Sequence, residues 1–145
     1  MRAFLRRHRR IGLDTSIFIY QVEANPRYVK LADEIFEWLE HSGRSAVTST
    51  ITMTELLVRP YRDADEERVN AFYGLLSTYP HLEWVAPDLR IADTAAQLRA
   101  LYRLKTPDAL QAATAVRSQA TGFIANDLDF ANVDVFETLL LDVLL

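Results

Sequence analysis

Apolar residues along the chain alternate between short runs typical of buried strands and longer stretches with helical spacing. Helical spacing is clearest where Tyr28, Leu31, Ile35 and Leu39 share one face. The short runs predict five strands, at Arg10–Leu13, Ser45–Thr48, Leu82–Ala86, Gly122–Ala125 and Leu139–Leu141. Because strands alternate with helices, the pattern predicts an α/β fold with a mainly parallel sheet of four to five strands, covered by helices on both faces.

Capping residues, glycines and prolines set the expected helix boundaries. Asp88 is a suitable N-cap for a helix whose inner face carries Ile91, Ala95, Leu98 and Leu101. Pro60 is expected to end the helix predicted at 52–59. The other helices are predicted at 16–23, from Pro26 to Gly43, at 52–59, after a capping box of Asp63 and Glu66, and at 108–120. No internal repeat or linker interrupts this order, so residues 10–145 are expected to form a single domain.

Composition narrows the function classes. Of the 145 residues, half are hydrophobic and a quarter are charged, which is ordinary for a globular domain. The absence of cysteine excludes a disulfide framework, a thiolate zinc site and a cysteine nucleophile, and favours a reducing cytoplasm. No apolar run approaches the length that spans a bilayer. The sequence therefore predicts a cytoplasmic protein with no membrane partner.

The first ten residues, MRAFLRRHRR, carry five arginines and no acid, whereas the rest of the chain holds 11 basic and 20 acidic residues. A basic arm on an acidic domain can steer the protein toward nucleic acid or an anionic membrane. A disordered terminus is the alternative. Residues 1–9 are therefore expected to form an arm outside the domain.

Four acidic residues fall where the predicted sheet would bring them together. Asp14 ends the first strand, Glu55 lies in the first turn after the second, and Asp127 follows the GFIA strand. Asp108 opens the helix that returns to that strand, so it lies level with Asp127. Ligands of open parallel sheets bind at this carboxyl edge. Helix caps and turns explain each acid separately, but they do not require the four to converge.

Crowded carboxylates repel each other unless a cation compensates them. Oxygen ligands suit Mg²⁺ or Mn²⁺, and none of the three histidines lies near these segments to favour zinc. Such a site can activate water for attack on a phosphodiester and stabilise the leaving oxygen. The four acids therefore predict metal-dependent phosphodiester hydrolysis.

The segments around the four acids, LDTSIFIY, TMTELLVRP, TPDALQAATA and IANDLDF, resemble those of PIN-domain nucleases, and the VapC-type toxins of toxin–antitoxin pairs in particular. The resemblance runs from about Ile11 to the C-terminus. It implies a PIN-like α/β/α fold and an endoribonuclease that cuts RNA with Mg²⁺ or Mn²⁺. It also implies a homodimer and a small VapB-type antitoxin whose C-terminal segment blocks the site.

The resemblance assigns roles to residues of this chain. Those matching the catalytic and metal-binding acids are Asp14, Glu55, Asp108 and Asp127, with Asp129 as an additional acid at the rim. Thr15, Ser16 and Asn126 match positions that support the site. Ala125 departs from the pattern, because the family usually has Thr or Ser there, so one supporting hydroxyl is missing.

Four basic residues flank these segments: Arg59, Arg62, Arg103 and Lys105. They are expected to reach RNA phosphates, and the alternative is that they are ordinary solvated surface residues.

Two other functions remain open. Ala125 favours a catalytically degenerate PIN-like module that binds RNA or a protein without cleavage. A strand followed by LDTS suggests an aspartyl-phosphate phosphatase, but that chemistry needs a second acid where this chain has Ser16.

Overall fold

Five parallel strands form one central sheet in the computed structural model, which describes all 145 residues. The strands are β1 (Arg10–Leu13), β2 (Ser45–Ser49), β3 (Leu82–Val85), β4 (Gly122–Ala125) and β5 (Glu137–Leu140). Their order is β3-β2-β1-β4-β5, and every ladder is parallel. The chain leaves the central strand β1 toward one edge and later returns to its other side. The carboxyl ends of β1 and β4 therefore flank the point where the winding direction changes, which is where such sheets bind ligands.

Seven helices surround the sheet: α1 (Arg2–Arg7), α2 (Thr15–Val22), α3 (Val29–Glu40), α4 (Ile51–Arg62), α5 (Glu66–Ser77), α6 (Leu89–Tyr102) and α7 (Thr106–Arg117). Two short 3-10 helices follow at Leu128–Phe130 and Leu141–Leu144. None of the helices combines the length and apolar character needed to cross a bilayer. The α/β fold with a covered parallel sheet is thus confirmed.

Two apolar clusters lie on opposite faces of the sheet, because successive strand residues point to opposite sides. Ile11 and Leu13 of β1 and Ile124 of β4 belong to the cluster under α1 to α5. Phe123 and Ala125 of β4 belong to the cluster under α6 and α7. Every residue of β4 is buried, as expected for a strand covered on both faces.

Helix α7 packs closely on the sheet because the side chains of its inner face are small. Ala109, Ala112 and Ala113 are fully buried there. A Cβ placed on Gly12 would lie 2.6 Å from Cδ2 of Phe123 and 2.7 Å from Cβ of Ala115. Only glycine fits at this position of β1. The approach of α7 to β1 therefore depends on one missing side chain.

Several predicted boundaries are wrong. Helix α4 continues through Pro60 to Arg62, since the proline in its last turns removes only one backbone donor and its ring is buried. Helix α5 is capped by Asp65, which accepts from the amide of Arg68, and not by Asp63. Helix α3 begins at Val29, after a turn that contains Pro26.

Two apolar positions also differ from expectation. Leu101, expected on the inner face of α6, is 72 % exposed in the last turn of that helix. The last strand begins at Glu137 rather than Leu139, and Leu141 already opens the final 3-10 helix.

The N-terminal segment differs most from expectation. Residues 2–7 form helix α1, and Phe4 and Leu5 are buried in the core. His8 is also buried, and its ring nitrogens bond the hydroxyl of Thr121 at 2.8 Å and a carboxylate oxygen of Glu137 at 2.7 Å. Residues 1–9 are therefore packed on the domain instead of extending from it as an arm, because the Phe4–Leu5 pair anchors the arginine-rich helix.

Substituting Gly12 by alanine is expected to lower the free energy of unfolding by about 2 kcal/mol, because the new methyl group overlaps Phe123 and Ala115. Gly74, in exposed helix α5, is the matched control: nothing lies within 4 Å of its added Cβ, so Gly74→Ala should stabilise the protein by up to about 1 kcal/mol. Urea unfolding of both variants tests the packing. Equal effects of the two substitutions would contradict it.

Phe4→Ala is expected to lower the free energy of unfolding by about 3 kcal/mol, since it empties a buried site between α1 and the domain. Arg6→Ala, on the exposed face of the same helix, should change it by less than about 0.5 kcal/mol. The measurement is again urea unfolding. A Phe4→Ala protein as stable as the wild type would show that α1 does not contribute to the folded domain.

Candidate metal centre

The four predicted acids meet at the carboxyl edge of the sheet. Asp14 follows β1 directly, and its amide donates to the carbonyl of Ile124 in β4 at 3.0 Å. Asp127 lies just beyond β4, Asp108 is the third residue of α7, and Glu55 lies in the second turn of α4. An open cleft of about 510 Å³ is lined by all four, together with Thr15, Ser16, Ile19, Asn126, Leu128 and Asp142. Residues remote in sequence thus share one site.

The tightest group of carboxylates comprises Asp108, Asp127 and Asp129. One oxygen from each lies within 4.8 Å of the others, a spacing that a single cation could bridge. Asp127 and Asp129 are exposed and Asp108 is half-buried. Asp129, which the family resemblance implies at the rim, therefore belongs to this group, whereas Asp14 and Glu55 lie outside it.

Asp14 forms the floor of the cleft. It is buried, with 8 % of its surface exposed, and its Oδ2 accepts hydrogen bonds from the Ser16 hydroxyl at 2.8 Å and the Ser16 amide at 3.3 Å. Burial raises the pKa of Asp14, the bonds from Ser16 oppose the rise, and the charge of Asp127 adds to it. Ser16 thus orients one carboxylate oxygen of Asp14, Oδ2.

Charge crowding extends to the other acids. Burial, followed by the charges of Asp14, Asp127 and Asp129, raises the pKa of Asp108 to about 6. The pKa of Glu55 is also raised, by partial desolvation and by the charges of Asp14 and Asp108, while the nearby Thr15 hydroxyl opposes the rise. None of the ion pairs in the structure involves one of these acids. The cluster is therefore a concentration of negative charge that the protein itself does not neutralise.

Helix capping accounts for part of this arrangement but not for its convergence. Asp14 caps α2, and Asp127 caps the following 3-10 helix by accepting from the amide of Asp129 at 2.9 Å. Glu55 caps nothing, because α4 begins after Thr50 and has no side-chain cap. Each cap leaves carboxylate oxygens free, so capping and cation binding are compatible.

Asn126, predicted to support the site, ties the cleft to the C-terminal segment. Its amide group donates to the Tyr20 hydroxyl at 2.9 Å, and its carbonyl oxygen accepts from the amide of Asp142 at 2.8 Å. Asp142 in turn accepts from the Tyr28 hydroxyl at 2.7 Å. Asp142 was not predicted as a site residue, although it too is an acid shortly after a strand, the signal that identified Asp14 and Asp127.

A buried polar network beneath the acids was also missed. Gln111 is 2 % exposed and lies one turn after Asp108 on α7, between buried alanines. Its side chain reaches Ser49, Thr15 and Thr52, so it links α7 to β2, α2 and α4. A glutamine at an inward position of an alanine-rich helix was the available signal, because a buried amide needs partners.

The four basic residues expected at RNA phosphates do not line the cleft. Arg59 pairs with Glu23 at 3.4 Å, and Arg103 ends α6 in a left-handed conformation with φ of 59°. Arg62 is exposed at the end of α4. Lys105, which immediately precedes α7, is the one whose charge acts on the site, since it lowers the pKa of Asp108.

The donor set fits a hard divalent cation. All candidate ligands are oxygens, and the cluster contains no histidine or cysteine. A cation there would neutralise the carboxylates whose pKa values their neighbours raise. The arrangement thus has the composition, spacing and uncompensated charge of a site for such an ion.

Solved structures with this fold include toxin–antitoxin complexes. A toxin–antitoxin complex from Klebsiella pneumoniae is 23% identical, with a TM-score of 0.65 and coverage of 89% of this chain and 94% of that one. DNA-bound VapBC from Salmonella typhimurium is 21% identical, with a TM-score of 0.67 and coverage of 90% of this chain and 96% of that one. VapBC-5 from Mycobacterium tuberculosis is 24% identical, with a TM-score of 0.59 and coverage of 90% of this chain and 98% of that one. At these identities the likeness concerns the fold.

A search among curated proteins finds no significant sequence match. The family model described as the PIN domain, in contrast, matches residues 11–135. This range contains all four acidic segments from which the resemblance was drawn, and it covers most of the chain. The chain therefore belongs to the PIN domain family.

Proposed function

We propose that this protein is a metal-dependent endoribonuclease and the toxin of a toxin–antitoxin pair. The observation that carries the proposal is the group of acids at the carboxyl edge, Asp14, Glu55, Asp108, Asp127 and Asp129, which no side-chain cation neutralises. Family membership supports nuclease chemistry, because PIN domains are generally nucleases. The proposed substrate is single-stranded or looped RNA, whose backbone the open cleft leaves room to enter.

The proposed metal ligands are Asp14, Asp108, Asp127 and Glu55, with Asp129 at the rim. When bound, Mg²⁺ or Mn²⁺ would supply an activated water and stabilise the leaving oxygen of the phosphodiester. Ser16 holds one oxygen of Asp14, and the Thr15 hydroxyl lines the cleft beside it. Asn126 fixes the chain beside Asp127. Lys105 is the favoured phosphate contact, and Arg59, Arg62 and Arg103 are proposed only as outer contacts along a longer RNA.

The proposed partner is a small VapB-type antitoxin, and the proposed assembly is a homodimer in the cytoplasm. The similar structures are themselves complexes of toxins with antitoxins, which supports a protein partner for this chain. A catalytically degenerate module remains the alternative. Ala125 favours it, because this fully buried residue at the end of β4 supplies no hydroxyl to the acids.

Asp14→Asn and Asp108→Asn are each expected to reduce Mn²⁺-dependent cleavage of single-stranded RNA by about 100-fold or more, because each removes a ligand charge. Asp93→Asn is the matched control, since Asp93 is an exposed acid of α6 bonded only to Gln97. Cleavage is followed by gel electrophoresis, and circular dichroism checks folding. Folded Asp14→Asn and Asp108→Asn proteins with wild-type activity would contradict the site, whereas RNA binding without cleavage by the wild type would favour the degenerate module.

Asp108→Asn is also expected to stabilise the metal-free protein. Because the pKa of Asp108 rises from 3.8 to about 6 on folding, the folded wild type loses stability as pH increases from about 4 to 6, and asparagine escapes this loss. In EDTA at pH 7.5 the variant should melt roughly 3 °C higher, and the difference should shrink toward pH 4. Saturating Mn²⁺ should reverse the order by stabilising only the wild type. An unchanged order in Mn²⁺ would argue against ligation by Asp108.

A further inference from the structure

Of the ten residues that line the cleft, only two are hydrophobic, Ile19 and Leu128. Leu128 is 77 % exposed, more than any other large hydrophobic residue of the chain except Leu89. An exposed leucine is unfavourable in water, and it can neither ligate a cation nor bond a phosphate. The chemistry of the acids therefore leaves the presence of Leu128 among them unexplained.

The backbone around Leu128 is held in place from both sides. Asp127 caps the 3-10 helix of Leu128–Phe130 by accepting from the amide of Asp129 at 2.9 Å. The amide of Ala131 donates to the Leu128 carbonyl at 2.9 Å, and the Phe130 side chain is completely buried. The Leu128 side chain therefore leaves the backbone at a fixed point between Asp127 and Asp129.

Ile19 reaches the same cleft from the neighbouring segment. It lies in the second turn of α2, the helix that Asp14 caps, and it is half-buried against the core. The amide group of Asn126 donates to the hydroxyl of Tyr20 at 2.9 Å, which ties the end of β4 to α2 directly beside Ile19. The two apolar side chains are thus carried by the same two joined segments that carry Asp14 and Asp127.

The ligand that fits this combination has an anionic part and an apolar face close together. Leu128 is adjacent in sequence to two acids of the proposed cation site, and consecutive Cα atoms are about 3.8 Å apart. A nucleotide has this form, because a single ribose joins its base to its phosphate. The face of an unpaired base is available for such contact, whereas the bases of a duplex are stacked on their neighbours.

We infer that Leu128, together with Ile19, receives the unpaired base next to the scissile phosphate, and that this contact selects single-stranded RNA. The inference rests on the proposed function and adds the residues that distinguish an unpaired from a paired substrate. The apolar side chain of a protein partner is the other chemistry that fits Leu128 alone. The acids on both sides favour the nucleotide, since a cation bound there attracts its phosphate.

Leu128→Ala tests the inference with Mn²⁺ and a short single-stranded RNA of mixed sequence whose cleaved bond has been mapped. The KM is expected to rise about fivefold or more, while kcat and the Mn²⁺ dissociation constant stay within about twofold. Leu89→Ala is the matched control, because Leu89 is 88 % exposed but opens α6 and does not line the cleft. The control should keep KM within about twofold of the wild type. A wild-type KM in Leu128→Ala would overturn the inference in favour of a protein contact.

Removal of single bases from the RNA separates a base contact from a general change of the cleft. An abasic nucleotide is placed in turn on each side of the mapped bond. For the wild type, one of the two positions should raise KM about fivefold or more. For Leu128→Ala the same position should add less than about twofold, because the contact is already lost. Effects that multiply in the combination would overturn the inference.

Fluorescence anisotropy distinguishes failure of the inference from failure of the proposed function. Folded wild-type protein that binds RNA in Mn²⁺ without cleaving it would refute the nuclease, and dissociation constants would then decide the inference alone. Leu128→Ala should weaken binding of the single strand about fivefold or more, and binding of its duplex by less than about twofold. Equal losses for single strand and duplex would overturn the inference, and a wild type that binds no RNA would overturn both.

Discussion

Repulsion among the carboxylates at the carboxyl edge of the sheet is the interaction that the rest of the fold must withstand. Asp14 and Asp108 come from segments far apart in sequence, and each raises the free energy of ionising its neighbours. Close packing of α7 on β1, which depends on Gly12, holds Asp108 beside Asp14. The hydrogen bonds of Gln111 join the same helix to β2 and α4. Apolar contact and buried polar contact thus oppose the repulsion together.

The protein therefore carries a cluster of acids that lowers its own stability. Uncompensated charge is unfavourable in the folded state, and natural proteins tolerate such conflicts where function requires them. Asp14 and Asp127 reduce the conflict by serving two purposes, since one oxygen of each caps a helix while the carboxylate still faces the cleft. Helix capping, which from the sequence alone is an alternative to metal binding, therefore helps to hold these two acids in place.

The fold and the principal acids were predictable from sequence because their signals are local. An acid directly after an apolar run lies at the carboxyl end of a strand. Because alternating strands and helices make the sheet parallel, these ends meet at one edge. Gln111 was not predictable in the same way, because its partners Ser49, Thr15 and Thr52 are remote in sequence and become neighbours only when α7 packs. Helix α1 was misjudged because its arginines outnumber the two apolar residues, Phe4 and Leu5, that are buried.

The position of β1 in the middle of the sheet has a consequence for synthesis of the chain. Strand β1 pairs early with β2 but has both neighbours only after β4 has been made, more than 100 residues later. His8 likewise waits for its partners Thr121 and Glu137, which are made 113 and 129 residues later. Such long-range pairing makes folding slow and late. A ribosome-bound nascent chain that has not yet made β4 therefore lacks Asp127, so the site cannot assemble before β4 has been translated.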